Sequence, residues 1–297
     1  MSAIEAHGLG KSFGGRPACR DVSFQVDPGE VFGFLGPNGA GKTTTLRMLA
    51  GLFAPDAGTA RVAGCEISPG RAGGQKLRAK VGLLTEAPGF YDRLTARENL
   101  VHFARLQRTR DPERRSDALL ERFALRDHAG RPFAELSRGM KQKLAIARAL
   151  VHEPEVVLLD EPTVGLDPEA TREVRHLVAE LARGRAAIVL CTHHLEEVER
   201  LCSRAAFIAG RLVAVHEIRR EALLRIQLAA PFQPDGVRGL CRSLRLSGST
   251  LLIEPRAEVP DIVAALVSAG ARIESVAPHR DPLEDAWLEL LAEARGP

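Results

Sequence analysis

The run GPNGAGKT at residues 36–43 combines a flexible backbone, a cation and hydroxyls in the order needed to hold a phosphate chain. Its glycines let consecutive backbone N–H groups turn inward, so that Gly36, Asn38, Gly39, Ala40 and Gly41 form a cradle for phosphate oxygens. Lys42 is placed to neutralise the β- and γ-phosphates of a nucleoside triphosphate, and Thr43 to give its hydroxyl to Mg²⁺. Thr44 is placed to hydrogen-bond a phosphate oxygen, and a helix beginning here adds the partial positive charge of its N-terminus. A glycine turn capping an ordinary helix is the plainer reading of these letters, and the completeness of the pattern disfavours it.

A second run, VVLLDEP at residues 156–162, sets two carboxylates behind four apolar residues. The apolar letters suit a buried strand, and the carboxylates emerge at its carboxyl end, where α/β sheets place ligands. Asp160 is the Mg²⁺-side carboxylate. Glu161, one residue further, reaches the water that attacks the γ-phosphate in line, as its general base or as the group that orients it. Many strands end in such an acidic turn; the phosphate cradle in the same chain is what gives these carboxylates a task.

Both runs need strands to present them. Apolar bursts at residues 23–26 and 31–35, separated by Asp27-Pro28-Gly29, predict a hairpin or two adjoining strands. The second burst leads into the glycine loop, and residues 43–51 then have the composition of a helix closed by Gly51. Short apolar runs at 81–84, 156–159 and 186–191 have the length of buried parallel strands, so the core is expected to be α/β. Residues 95–149 show helical periodicity, few β-branched residues and many charges, and read as an inserted helical subdomain spanning about 90–150. After Gly210 the pattern changes. A strand at 224–228, a helix at 237–244, a hairpin of 244–246 with 251–254 about Gly248, a helix at 259–268, a strand near 272–276 and a helix at 283–292 follow. This βαββαβ order with a closing helix predicts a small ferredoxin-like α+β domain, and the expected division of the chain is 1–217 and 218–297.

With 297 residues, 45% of them hydrophobic, the chain can bury a full core. Its formal charge of +3 comes from 41 basic and 38 acidic residues whose signs nearly cancel along the chain, which gives nucleic-acid binding no support. Cys19, Cys65, Cys191, Cys202 and Cys241 form no CxxC pair and predict buried reduced thiols in place of a metal site or disulfide framework. The first residues lack the apolar stretch of a signal peptide, and no run of about 18 apolar residues occurs. The chain is therefore expected to be soluble, with any membrane role borrowed from a partner.

Between the cradle and the acidic strand lies LSRGMKQ at residues 136–142, and Gly165-Leu166-Asp167 and Thr192-His193-His194 follow. With these motifs in order, the chain resembles the ATP-binding subunits of ABC transporters over about residues 1–217. The usual LSGGQ is replaced at Arg138 and Met140, and this form resembles exporters of the ABC-2 class. The resemblance implies a P-loop NTPase fold of the ABC nucleotide-binding type, ATP and Mg²⁺ as cofactors, and ATP hydrolysis coupled to transport. It implies that Ser137 and Gly139, at the start of a helix over 140–151, close on the γ-phosphate bound by a second copy, so that a homodimer shares two ATP sites. Asp167 is implied to face the opposite subunit, His193 to contact the γ-phosphate, and Phe13 in KSFGG to stack on adenine where tyrosine is more usual. Glu86 stands where the family most often has glutamine; its oxygen can still bind Mg²⁺, and it adds a negative charge beside the phosphates. The ending PLEDAWLELL resembles an accessory domain appended to such exporter ATPases, with Trp287 read as core. The implied partners are a second copy and an integral membrane permease, with no nucleic acid, which places the chain at the cytoplasmic face of the cell membrane.

Two other readings have their own signatures. A soluble ABC protein acting on ribosomes or DNA usually carries two such units or a long coiled coil, and this sequence has neither. The presence of Lys42, Asp160, Glu161 and His193 together argues against a regulator that binds nucleotide without hydrolysing it, and an ATPase assay decides it.

Overall fold

The segments VFGFL, VVLLD and AIVLCT become fully buried strands in the computed structural model, which describes residues 2–85, 89–218, 223–230, 232–233 and 235–279. Contacts divide the chain into two compact units, with the break after Ile218. The first unit begins with β1 (Ile4–Phe13), β2 (Arg16–Val26), β3 (Val31–Leu35), α1 (Lys42–Leu49), β4 (Ala57–Val62), β5 (Cys65–Ile67), α2 (Gly74–Arg78) and β6 (Val81–Leu84). Helices α3 (Ala96–Leu106), α4 (Pro112–Arg122) and α5 (Arg138–Ala149) come next. They are followed by β7 (Val156–Asp160), α6 (Pro168–Leu181), β8 (Ala187–Thr192), α7 (Leu195–Leu201), β9 (Arg204–Ile208) and β10 (Leu212–Glu217).

The central layer is a six-stranded sheet of order β10-β9-β3-β8-β7-β6. From β9 to β6 the pairing is parallel, and β10 closes one edge antiparallel to β9. Parallel strands are covered on both faces, which is why β3, β7 and β8 are apolar without alternation. A second, antiparallel sheet of order β2-β1-β4-β5 packs on this layer. Phe24 of β2 meets Phe32 and Phe34 of β3 there, with ring centroids 5.5 and 4.9 Å apart. The two apolar bursts around Asp27-Pro28-Gly29 thus enter different sheets and form no hairpin. Strand β2 is taken up by β1, while β3 already has β8 and β9 on its two edges. At the start of β9, the Arg204 guanidinium donates to both Glu30 carboxylate oxygens at 2.7 Å and lies 5.4 Å from the Phe32 ring.

The charge-rich insertion is helical. Thr95 and Glu98 form a capping box that starts α3, and the buried Asn99 amide donates to the carbonyls of Tyr91, Leu94 and Thr95. Helix α5 begins two residues before the expected 140, because the Ser137 hydroxyl accepts the Met140 N–H and acts as N-cap. Gly139 therefore lies inside the first helical turn.

The second unit contains β11 (Leu223–Leu228), β12 (Cys241–Ser247), β13 (Thr250–Pro255), α8 (Val259–Ser268) and β14 (Ile273–His279). Its sheet has the order β12-β13-β11-β14 with antiparallel pairing throughout. Leu224, Ile226, Leu251 and Ile253 bury one face against Ile262 and Leu266 of α8. The helix expected over 237–244 is instead a short 3-10 turn at Asp235–Leu240, and Cys241 already belongs to β12. Gly236 and Gly239 weaken an α-helix in this stretch. The expected helix at 283–292, with Trp287, and the position of Glu86 lie outside the described residues. All five cysteines are buried thiols. Among the described residues no helix is long and apolar enough to cross a membrane.

Candidate nucleotide site

Three neighbouring strands carry the chemistry at their carboxyl ends. Strands β3, β8 and β7 lie side by side with Leu35 opposite Thr192 and Cys191 opposite Asp160. The glycine loop, His193 and Glu161 therefore leave the sheet at one level. This is the edge at which parallel sheets bind ligands.

The glycine loop is backed by its own protein. A Cβ on Gly36 would stand 2.2 Å from the Ile208 carbonyl oxygen. At Gly41 φ is +98°, and a Cβ would stand 2.6 Å from the Ala18 carbonyl oxygen, so both positions exclude any side chain. Lys42, 6% exposed, donates from Nζ to the carbonyls of Gly36 at 2.6 Å and Pro37 at 3.2 Å, with the Glu161 carboxylate 3.8 Å away. The Thr45 hydroxyl donates to the Gly41 carbonyl at 2.9 Å and fixes the first turn of α1 to the loop.

Glu161 has a left-handed backbone, φ +48°, and its N–H donates to the Cys191 carbonyl at 2.8 Å. Its side chain meets His193, with Nδ1 3.0 Å from Oε1. Glu161 Oε2 and Asp160 Oδ1 are buried without a hydrogen-bond partner. Burial pushes the Asp160 carboxyl above its usual range; the Thr43 hydroxyl opposes that rise and the Glu161 charge adds to it. Buried carboxylate oxygens of this kind ask for a cation, and with Thr43 alongside, the oxygen donors fit a hard divalent ion.

These groups face a cleft of 730 Å³ whose lining includes Asn38, Gly39, Ala40, Gly41, Lys42, Thr43, Thr44, Asp160, Glu161 and His193. The His194 ring lies against His193 at a tilt of 38°, with ring centroids 4.0 Å apart. Gly36 supports the loop from beneath. Ser137, Gly139, Asp167 and Phe13 are not among the lining residues. Ser137 and Asp167 instead cap α5 and α6, and the half-exposed Phe13 ring packs edge-on against Phe53 at 5.6 Å.

Sequence reasoning missed several neighbours. Phe133, Arg138, Lys141 and Gln142 also line the cleft, and the Gln142 amide donates to the Pro162 carbonyl at 2.7 Å. Behind the site, the Thr163 hydroxyl donates to the buried Glu197 carboxylate, beside Arg175. One signal was present: in LEEVERL, Glu197 shares the buried face of α7 with Val198 and Leu201.

Comparison with known proteins agrees with this geometry. The family model described as ABC transporter matches residues 19–164. The chain is 39% identical to the Nod factor export ATP-binding protein I of Rhizobium johnstonii, over 97% of this chain and 94% of that protein. It is 36% identical to the daunorubicin resistance ATP-binding protein DrrA3 of Streptomyces coeruleorubidus, over 99% and 97% of the two chains. A bacterial ABC transporter cassette solved as a dimer matches with a TM-score of 0.65 and 25% identity, covering 73% of this chain and 99% of that one. The fold and site thus define a P-loop nucleotide-binding ATPase. The chain belongs to the ABC transporter family, as an ATP-binding protein of it.

Proposed function

We propose that this chain is the ATP-hydrolysing subunit of an exporter, working as a homodimer at the cytoplasmic face of the membrane and driving a separate integral membrane permease. Relatives named for Nod factor export and daunorubicin resistance support export, and the dimeric cassette supports pairing. The observation that carries the reading is the convergence of Lys42, Asp160, Glu161 and His193 on one cleft, with two carboxylate oxygens left unpartnered.

In this reading the backbone from Gly36 to Gly41 and the Thr44 hydroxyl bind phosphate oxygens, and Lys42 neutralises the β- and γ-phosphates. Thr43 and Asp160, with Glu86 as a further oxygen donor, hold Mg²⁺, which when bound offsets charge on the phosphate oxygens. Glu161 takes the proton of the attacking water or orients it. His193, with Nδ1 engaged by Glu161, presents Nε2 to the γ-phosphate. Phe13 stacks on adenine. Ser137, Gly139 and Asp167 act on the site of the second copy.

Glu161→Gln is expected to keep ATP binding, lower turnover by about 100-fold or more, and elute as a dimer with MgATP in size-exclusion chromatography. A variant that turns over normally, or that stays monomeric with MgATP, overturns the shared catalytic site.

A further inference from the structure

We infer that Glu197 is a positioning residue for hydrolysis, which acts through Thr163 to hold Glu161 and His193 in register. The proposal rests on the reading that these two residues act on the water and the γ-phosphate.

Glu197 is only 1% exposed, on a two-turn helix that buries Val198 and Leu201 beside it. A carboxylate in such a place is costly, and an apolar residue of similar volume would serve packing as well or better. What the carboxylate does have is a set of partners from other elements. The Thr163 hydroxyl, itself in a residue 6% exposed, donates to Oε1, and Arg175 Nε of α6 lies 3.4 Å from the same oxygen.

The location of the two ends gives the contact its meaning. Thr163 follows Glu161 by two residues, and the intervening turn is closed by the Val164 N–H donating to the Glu161 carbonyl at 3.3 Å. Helix α7 follows His193 directly, with His194 as its N-cap. The bond from Thr163 to Glu197 therefore joins the segment after the catalytic carboxylate to the helix after the histidine. On the strand side, the Glu161 N–H already donates to the Cys191 carbonyl. The 3.0 Å contact between Glu161 and His193 is thus framed from both ends, by backbone before it and by Glu197 after it. Geometry of this kind governs the chemical step more than substrate binding.

Steady-state ATPase kinetics, nucleotide affinity and Tm of full-length variants test this. Glu197→Leu, which leaves the Thr163 hydroxyl without its acceptor and takes one carboxylate from Arg175, is expected to lower Tm by a few degrees. At a temperature where the variant is fully folded it should lower kcat about tenfold, with KM for ATP within about twofold of the parent. Thr163→Val should do the same to kcat, and Thr163→Ser, which keeps the hydroxyl, should restore most of it. In a His193→Ala background Thr163→Val should add little, as expected for groups acting through one contact. Parental kcat in Glu197→Leu or Thr163→Val overturns the proposal. So do a kcat loss accounted for by the unfolded fraction at the assay temperature, failure of Thr163→Ser to rescue, or independent effects in the His193→Ala background. Glu161→Gln separates the two levels: if it keeps turnover, the underlying catalytic reading fails, and if it loses turnover while Glu197→Leu does not, only the role of Glu197 fails.

Discussion

Lys42 is a buried ammonium whose bonds run to the carbonyls of its own loop, within reach of Glu161. A group so placed meets a phosphate chain as a preset charge, and charge-assisted bonds are the strong ones. Lys42→Ala is therefore expected to weaken ATP binding by about 100-fold in a calorimetric titration, with little change in Tm because the loop keeps its glycine backing. The residues of this loop are legible in the sequence because they are consecutive: one string specifies backbone, cation and hydroxyl together. Asp160 and Glu161 are legible for the same reason. His193 is different, since a His-His pair has no meaning until it is seen to follow β8, beside the strand that bears Glu161. The partnership of Thr163 with Glu197 spans 34 residues and two elements, and no local pattern announces it.

At the scale of elements, apolar runs without alternation identify β3, β6, β7 and β8, because a strand covered on both faces has no reason to alternate. Strand β1 escapes that reading. Its alternation is broken by Gly8 and Gly10 and by three shifts of register against β2, so its buried Ile4, Ala6 and Leu9 fall out of step. Polar residues also hold elements together here. Burial pushes the Glu30 carboxyl up, but the Arg204 guanidinium and the Asp27 N–H outweigh that and hold it below its usual range. A depressed carboxyl pKa stabilises the fold above the unfolded value and loses that support as pH falls through the folded value. Glu30→Gln is thus expected to cost about 2 kcal/mol at neutral pH in urea unfolding, and the gap between variant and parent should close below about pH 4.

At the scale of the molecule, the cleft is lined by the cradle, the two acids and His193, while Ser137 and Gly139 lie outside its lining. In the dimer reading each site takes its cradle from one copy and Ser137 with Gly139 from the other, while Arg138, Lys141 and Gln142 further along α5 line the cleft of their own chain. Copies bearing Lys42→Ala and copies bearing Ser137→Arg should each be inactive alone, and mixing them should restore ATPase activity, since mixed dimers keep one intact site. The central sheet was readable from strand lengths and motif order. The second unit was readable in its alternation of strands and helices, with the first helix misread because glycines in DGVRGL favour a shorter turn. Glu161 is tied by its own N–H to the carbonyl two residues before His193, across adjacent strands of a packed sheet. Glu161 and His193 are consequently mounted on a single bracket, and parting them at their roots would mean breaking the sheet. In the dimer reading, the timing of the ATPase cycle is imposed from outside that bracket, with the second copy as its clock.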